Sequence, residues 1–395
     1  MKLYEFEGKQ LLKQFGIAVP RSVLVGDAHA LPDLLVVKAQ VLSGKRGKAG
    51  AIKICSSVTD AQRAVKELLG KKVNNEVVQK VLLEERLDVK NEFYVSVVYD
   101  TRARAPVVVL SKFGGMDVEE IKKNNPKSIL IHPIDATDEF TAKNGRALAT
   151  KAGLPEIVGD VIAKLVGCFQ EFDCRTAEIN PLVETLSGAI VAADAKIVLD
   201  DDGLFRHQFN FPPRAATGRE LTELEKEARQ IDKEDYRGTA GSSFVELDGD
   251  IAVLASGGGA SITAVDALIG YGGKPANYVE YSGNPPKSKV KRLAEVTLSK
   301  SGLNGCWIVG GRANFTDIYE TFKGIAEALI EIKPKYPIVI RRAGPRDKEA
   351  FEMMRALAKE HGWNSQAFGN EMPMTESAKV IVDLAAKYAH MVKKR

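Results

Sequence analysis

Apolar and polar positions alternate with two different periods along this chain. Over residues 3–15 the apolar side chains Leu11, Leu12 and Phe15 fall on one helical face, and Gly16 supplies a stop. Residues 34–39 form a short apolar run that carries Lys38 near its end, and residues 51–54 form another; both read as strands. Strands are also expected at 81–83, running into Glu84 and Glu85, and from residue 92 to 98. Residues 150–170 read as helical, and 176–183 with 190–196 as paired strands. Residues 221–235 form a highly charged helix that follows an extended Phe211-Pro-Pro-Arg stretch. From Ile251 the pattern becomes regular. Apolar runs at 251–255, 276–279, 306–309, 337–341 and 365–368 alternate with helical segments. One of these helices carries Ile318, Phe322, Ile325 and Leu329 at spacings of four, three and four. Strands separated by helices predict a doubly wound parallel sheet of flavodoxin type. The expected organisation is a nucleotide-binding domain over 1–240, with an extended and helical connector at 205–246, and a second α/β domain over 247–395.

Length and composition set outer limits. A chain of 395 residues is too long for one ordinary core. Hydrophobic residues at 45% and charged residues at 27% are those of a globular enzyme. No apolar run reaches the roughly 18 residues a membrane helix needs, and the first residues carry charge where a secretion signal needs an apolar core. A net charge of +4 gives no case for nucleic acid. The four cysteines, Cys55, Cys168, Cys174 and Cys306, contain no Cys-x-x-Cys pair and read as buried thiols of a cytoplasmic protein.

Three constellations carry candidate chemistry. The loop that follows Lys38 holds Gly44, Arg46, Gly47, Lys48 and Gly50. Its glycines let backbone close on phosphates while Lys38, Arg46 and Lys48 supply positive charge, although a solvated basic hairpin would read the same. It is neither a Walker loop nor a Gly-x-Gly-x-x-Gly fingerprint. Next, Glu178, Asn180 and, fourteen residues after Asn180, Asp194 lie on two expected strands. Pairing of those strands would set Asn180 beside Asp194, an amide and a carboxylate oxygen suited to Mg²⁺ with a nucleotide, and Glu178 would share their face. An ordinary edge-strand end is the plainer alternative. Finally, three expected strands of the C-terminal sheet end in glycine-rich turns, Ser256 to Ser261, Gly310 to Thr316, and Arg341 to Gly344. Helix N-termini at that edge, with Arg342, Asn314 and Thr316, would suit a polycarboxylate. None of the five histidines (His29, His132, His207, His361, His390) sits in a glycine-rich nucleophile motif.

The Lys38 and Arg46 loop together with Glu178-Ile-Asn-Pro-Leu-Val resembles the β subunit of succinyl-CoA synthetase, an ATP-grasp domain followed by a flavodoxin-like CoA-ligase domain. Gly257 to Ser261, the Ala276 to Gly283 segment, Gly310 to Thr316, and Arg341 to Pro345 resemble the citrate-binding region of ATP-citrate lyase and citryl-CoA synthetase. The resemblance implies that Lys38, Arg46, Gly47, Glu84, Leu87 and Glu92 bind ATP, with Glu84 and Leu87 at the adenine hinge and Glu92 on the ribose. It implies Mg²⁺ on Asn180 and Asp194, and Glu178 as the carboxylate that steadies a partner's phosphohistidine. Gly258, Gly259, Ala260, Asn314, Phe315, Thr316 and Arg342 would bind citrate. The partner implied is an α-type subunit that carries the histidine and most of the coenzyme A site. The activity implied is formation of citryl-CoA, leading to acetyl-CoA and oxaloacetate. Succinyl-CoA or malyl-CoA ligation, a non-catalytic nucleotide-binding subunit and a dinucleotide-dependent dehydrogenase are the alternatives.

Overall fold

The computed structural model describes residues 1–26, 35–44, 46–74, 76–135, 139–214 and 219–393. His29, Lys45 and the start of the expected strand at 34–39 lie outside them. The chain divides into two compact units, Met1–Glu220 and Leu221–Arg395.

The first unit contains two main sheets. Strands Ser22–Leu24, Val36–Gln40, Ile52–Ile54 and Lys80–Glu84 form a four-stranded antiparallel sheet in the order first, fourth, second, third. Helix Val58–Leu68 covers one face, where Val37, Ala39, Val81 and Leu83 join Ala61, Ala64 and Leu68 in a small core. The period of two turns Lys38, Gln40 and Glu84 to the other side. The second sheet is built on the twelve-residue strands Val89–Asp100 and Cys174–Thr185, which pair antiparallel. Ala105–Ser111 and Ile129–Pro133 extend it on one side, and Ile190–Ala192 and Lys196–Leu199 on the other. Its core is closed by helix Glu5–Gln14, through Leu11 and Leu12, and by helix Val158–Glu171, through Ile162, Leu165 and Phe169. The helical stretch expected at 150–170 is two helices, Ala142–Lys151 and Val158–Glu171. Gly153, with φ +72°, ends the first in the left-handed region that favours glycine.

The second unit is a six-stranded sheet. Five strands run parallel (Ile251–Ser256, Glu280–Ser282, Gly305–Arg312, Ile338–Ala343 and Ser365–Phe368) in the order second, first, third, fourth, fifth. That is the doubly wound order expected from the alternating pattern, with the short strand Thr239–Ala240 added antiparallel at one edge. Both faces are buried: Ala252, Leu254, Cys306, Ile308, Ile338 and Ile340 enter one core, and Ile251, Val253, Trp307, Val309 and Val339 the other. The apolar run at 276–279 gives only the short pairing Asn277–Tyr278 with Val245–Glu246, and the sheet strand begins at Glu280.

The boundary falls at residue 220, ahead of the expected connector's end. Helix Glu223–Glu234 buries Ala228 and Ile231 in the second unit's core. Its Asp232 accepts from the backbone of Ala240 and Ser242 and pairs with buried Lys289 at 2.8 Å. Residues 221–246 are therefore an integral part of the C-terminal unit rather than a linker.

Candidate active site

A cavity of about 930 Å³ opens in the first unit, lined by residues from both of its sheets. Lys38, Arg46, Gly47, Glu84, Leu87, Glu92, Glu178, Asn180 and Asp194 all line it. These residues come from segments more than 150 positions apart in sequence.

Its floor is an ion cluster that the sequence did not announce. Glu5, on the first helix, accepts from Lys9 (2.7 Å), Lys38 (2.9 Å) and Arg46 (2.6 Å). Lys38 also pairs with Glu84 at 2.6 Å, Lys9 pairs with the same carboxylate, and Arg46 reaches Asp194 at 2.6 Å. Lys9 and Lys38 further donate to the Ala193 carbonyl. Three cations thus meet three carboxylates, and all but Asp194 are buried. Burial by itself opposes ionisation of Glu5, but Arg46, Lys38 and Lys9 hold its carboxyl well below the usual range. Burial raises the pKa of Glu84, which has only the two lysines to offset it. Glu84, expected at a base-binding hinge, lines the cavity together with residues 85–88, and its side chain pairs with Lys9 and Lys38.

The basic loop is also not a set of free cations. Lys48 pairs with Glu120, so each of Lys38, Arg46 and Lys48 has a carboxylate partner. An anionic ligand would have to exchange with these carboxylates. Without one, partnering is the only cheap way to bury the charges.

The two residues expected as a metal pair, Asn180 and Asp194, line the same cavity. The register runs from Leu182↔Ala192 to Glu178↔Lys196, which sets Asn180 across from Asp194. Asn180 accepts from the Gly115 N–H (2.8 Å) and donates to the Met116 carbonyl (2.9 Å), so its amide is held in one orientation. This contact needs two glycines: a Cβ on Gly114 would lie 2.5 Å from the Phe93 carbonyl oxygen, and Gly115 has φ +67° above Glu92. Asp194 accepts from Arg46 and from the Ala195 N–H through one oxygen. Among the described residues no group of three or more His, Cys, Asp or Glu side chains is placed to hold a metal ion. A carboxylate and an amide oxygen nonetheless fit a hard cation that keeps waters and ligand oxygens for its other positions. Glu178 shares this wall, with Tyr94 and Lys196 each 3.3 Å from its Oε2.

In the second unit, the candidates gather at the carboxyl end of the parallel sheet. Gly257, at φ +97°, opens the helix Gly258–Gly270 and has no side chain to cap it, while the Glu280 carboxylate accepts from the Gly257 N–H at 3.3 Å. Cβ atoms on Gly258 or Gly259 would meet nothing within 4 Å, so the surface of the first turn is open at these two residues. Arg342 is 3% exposed and donates to the Ser256 hydroxyl (2.8 Å) and the Gly311 carbonyl (2.7 Å). Its Nε has no hydrogen-bond partner among the described residues. Burial lowers its pKa, yet a guanidinium stays charged. A buried cation held only by neutral groups is a receptor for an anion. Gly310 makes room for it, since a Cβ there would lie 2.6 Å from Arg342 Nη1. Thr316 is buried while Asn314 and Phe315 are exposed. Their loop is fixed by Ala313 N–H to the Ala343 carbonyl, Asp317 N–H to Asn284 Oδ1, and Arg346 to Asp317.

Comparison with known proteins agrees with this geometry. Residues 2–184 match the ATP-grasp domain family, and residues 219–387 match the ATP citrate lyase citrate-binding family. A succinate–CoA ligase [ADP-forming] β subunit of Methanocaldococcus jannaschii is 36% identical over 92% of this chain and 95% of its own length. The GDP-forming β subunit of Thermus thermophilus is 34% identical over 90% and 93%. The structure of ATP citrate lyase from Methanothrix soehngenii, in complex with citrate and coenzyme A, superposes with a TM-score of 0.77 at 26% identity, covering 98% of this chain and 99% of that one. The chain belongs to the family of the succinate–CoA ligase β subunits, as an ATP-grasp domain followed by a parallel-sheet domain of the ATP citrate lyase citrate-binding type.

Proposed function

We propose that this chain is the ATP- and citrate-binding subunit of a complex that makes citryl-CoA from citrate, CoA and ATP. The observation that carries the citrate half is Arg342, a buried guanidinium whose Nε has no hydrogen-bond partner among the described residues, at the same sheet edge as the glycine-opened N-terminus of helix Gly258–Gly270. The citrate-binding family match over 219–387 supports the same reading. Citrate would set one carboxylate on Arg342 and Ser256 and another on the N–H groups of Gly258, Gly259 and Ala260. Asn314, Phe315 and Thr316 would close the site.

In the first unit, Lys38 and Arg46 would exchange Glu5, Glu84 and Asp194 for the phosphate oxygens of ATP, with Gly47 closing on them. Leu87 and the backbone beside Glu84 would flank the base, and Glu92 would take the ribose. Asn180 and Asp194 would hold Mg²⁺, which when bound screens phosphate charge and aligns the group in transfer. The terminal phosphoryl group passes to a histidine nitrogen of an α-type partner, and Glu178 accepts a hydrogen bond from the ring's other N–H, fixing the tautomer that attacks. A citrate carboxylate oxygen then attacks phosphorus as the P–N bond breaks. The CoA thiol attacks the resulting acyl phosphate, releasing phosphate. Cleavage of citryl-CoA to acetyl-CoA and oxaloacetate would belong to another part of the complex, and the cytoplasm is its expected compartment.

The β-subunit relatives favour a second reading, in which the acid is succinate or malate. Titration calorimetry of the chain with each acid separates the two. Citrate should bind best and lose its binding in Arg342→Ala. Succinate binding as tightly as citrate would favour the second reading.

A further inference from the structure

We infer that Tyr94, assisted by Lys196, is the positioning residue for Glu178, occupying one carboxylate oxygen so that the other is presented to the incoming imidazole. The inference rests on the reading of Glu178 given above and adds to it the groups that make one defined acceptor out of a flexible side chain.

Glu178 lies on the strand Cys174–Thr185, with a neighbouring strand on each side. In register it faces Ser96 on Val89–Asp100 and Lys196 on Lys196–Leu199. Tyr94 is two residues from Ser96, so it projects from the same face and reaches Glu178 along the diagonal. Its hydroxyl and the Lys196 ammonium converge on the same atom, Oε2, at 3.3 Å each. Oε1 has no hydrogen-bond partner among the described residues, and Glu178 lines the cavity. A carboxylate with both oxygens free can turn and offer either. With two donors on Oε2, its plane is set and Oε1 alone remains to accept.

Tyr94 is suited to this and to little else. It is 4% exposed and sits behind Glu178 rather than lining the cavity. Burial, reinforced by the Glu178 charge, pushes its phenol far above the ordinary value, so it remains a donor at every working pH. Lys196 is half exposed, and its charge is correspondingly screened. The orienting contact is therefore chiefly the buried hydroxyl.

Tyr94→Phe removes that hydroxyl and keeps the ring. The measurement is the single-turnover rate of phosphorylation of the partner subunit's histidine by γ-³²P-ATP in the reconstituted complex, with the KM for Mg·ATP alongside. Tyr94→Phe is expected to slow phosphorylation by about tenfold to a hundredfold, the usual effect of removing an orienting partner, with the KM unchanged. In a Glu178→Gln background it should add nothing, because it acts only through that carboxylate. Lys196→Met, at an exposed position, should show the same pattern with a smaller loss, and it serves as the second arm if Tyr94→Phe folds poorly. A slow Glu178→Gln complex with Tyr94→Phe and Lys196→Met both at the wild-type rate overturns the inference alone. So do losses that multiply in the double variants. A Glu178→Gln complex at the wild-type rate overturns the reading of Glu178 and the inference with it.

Discussion

Asp194 and Arg342 are the single residues that test the two halves of the proposed site separately. Asp194 is bonded to Arg46 and shares the cavity wall with Asn180. Asp194→Ala should cost about a hundredfold or more in turnover, the scale of losing one charge-stabilising group, while far-ultraviolet circular dichroism stays native. Turnover within threefold of wild type would contradict the assignment. Arg342→Ala strips the more deeply buried of the two adjacent arginines, Arg341 and Arg342, at the C-terminal turn. A loss of about 2–5 kcal/mol is usual for such a partner, so the KM for citrate should rise roughly thirtyfold or more. The KM for ATP should be unchanged, which steady-state kinetics with each substrate varied would check. Both residues were legible in the sequence, because a fourteen-residue spacing across paired strands and an arginine at a strand end carry geometry in themselves. Glu5, Lys9 and Tyr94 were not. Glu5 and Lys9 stand one helical turn apart, a spacing that does not distinguish a buried pair from a surface one, and Tyr94 lies within the strand expected at 92–98 without a motif of its own. Only tertiary packing makes the first two buried and turns the third toward Glu178.

At the scale of elements, the first helix is tied to both sheets of its unit by the buried cluster around Glu5. Glu5→Gln leaves Lys9, Lys38 and Arg46 short of a counter-charge and should cost about 3–5 kcal/mol at neutral pH, measured by urea unfolding. The pH dependence has a definite sign. A carboxyl held below its unfolded value stabilises fully above about pH 4.5, and that stabilisation is lost as pH falls through the lower folded value. The gap between wild type and Glu5→Gln should therefore narrow on acidification below about pH 4.5, and a gap that widens there would contradict it. Helix Glu223–Glu234 makes a second test. Its charge suggested a connector, because the apolar face that packs away comes to little more than Ala228 and Ile231. A fragment of residues 221–395 should unfold cooperatively in a thermal melt, whereas 247–395, which loses that face and orphans Lys289, should not. The parallel sheet was easier to read. Its strands are apolar on both faces and its helices strongly periodic, so the parallel, doubly wound class followed from the pattern, while the edge strand Thr239–Ala240 and the shift of the second strand to Glu280–Ser282 did not. The ATP-grasp half mixes short strands with loops, and its motifs rather than its periodicity identified it.

For the whole molecule, the division of labour matters most. The nucleotide-site and citrate-site candidates lie in different units, and none of the four described histidines lines the cavity. Among the described residues, no helix is long and apolar enough to cross a membrane. Alone, the chain should bind Mg·ATP and citrate yet make no acyl-CoA, and acyl-CoA formed by the purified chain would refute the need for a histidine-bearing partner. The most direct test of the central claim is to supply that partner and measure acyl-CoA formation with ATP, CoA and either citrate, succinate or malate at equal concentration. Citrate should be the preferred acid, giving citryl-CoA or the acetyl-CoA and oxaloacetate derived from it; succinate or malate used as fast as citrate, or faster, would contradict the claim.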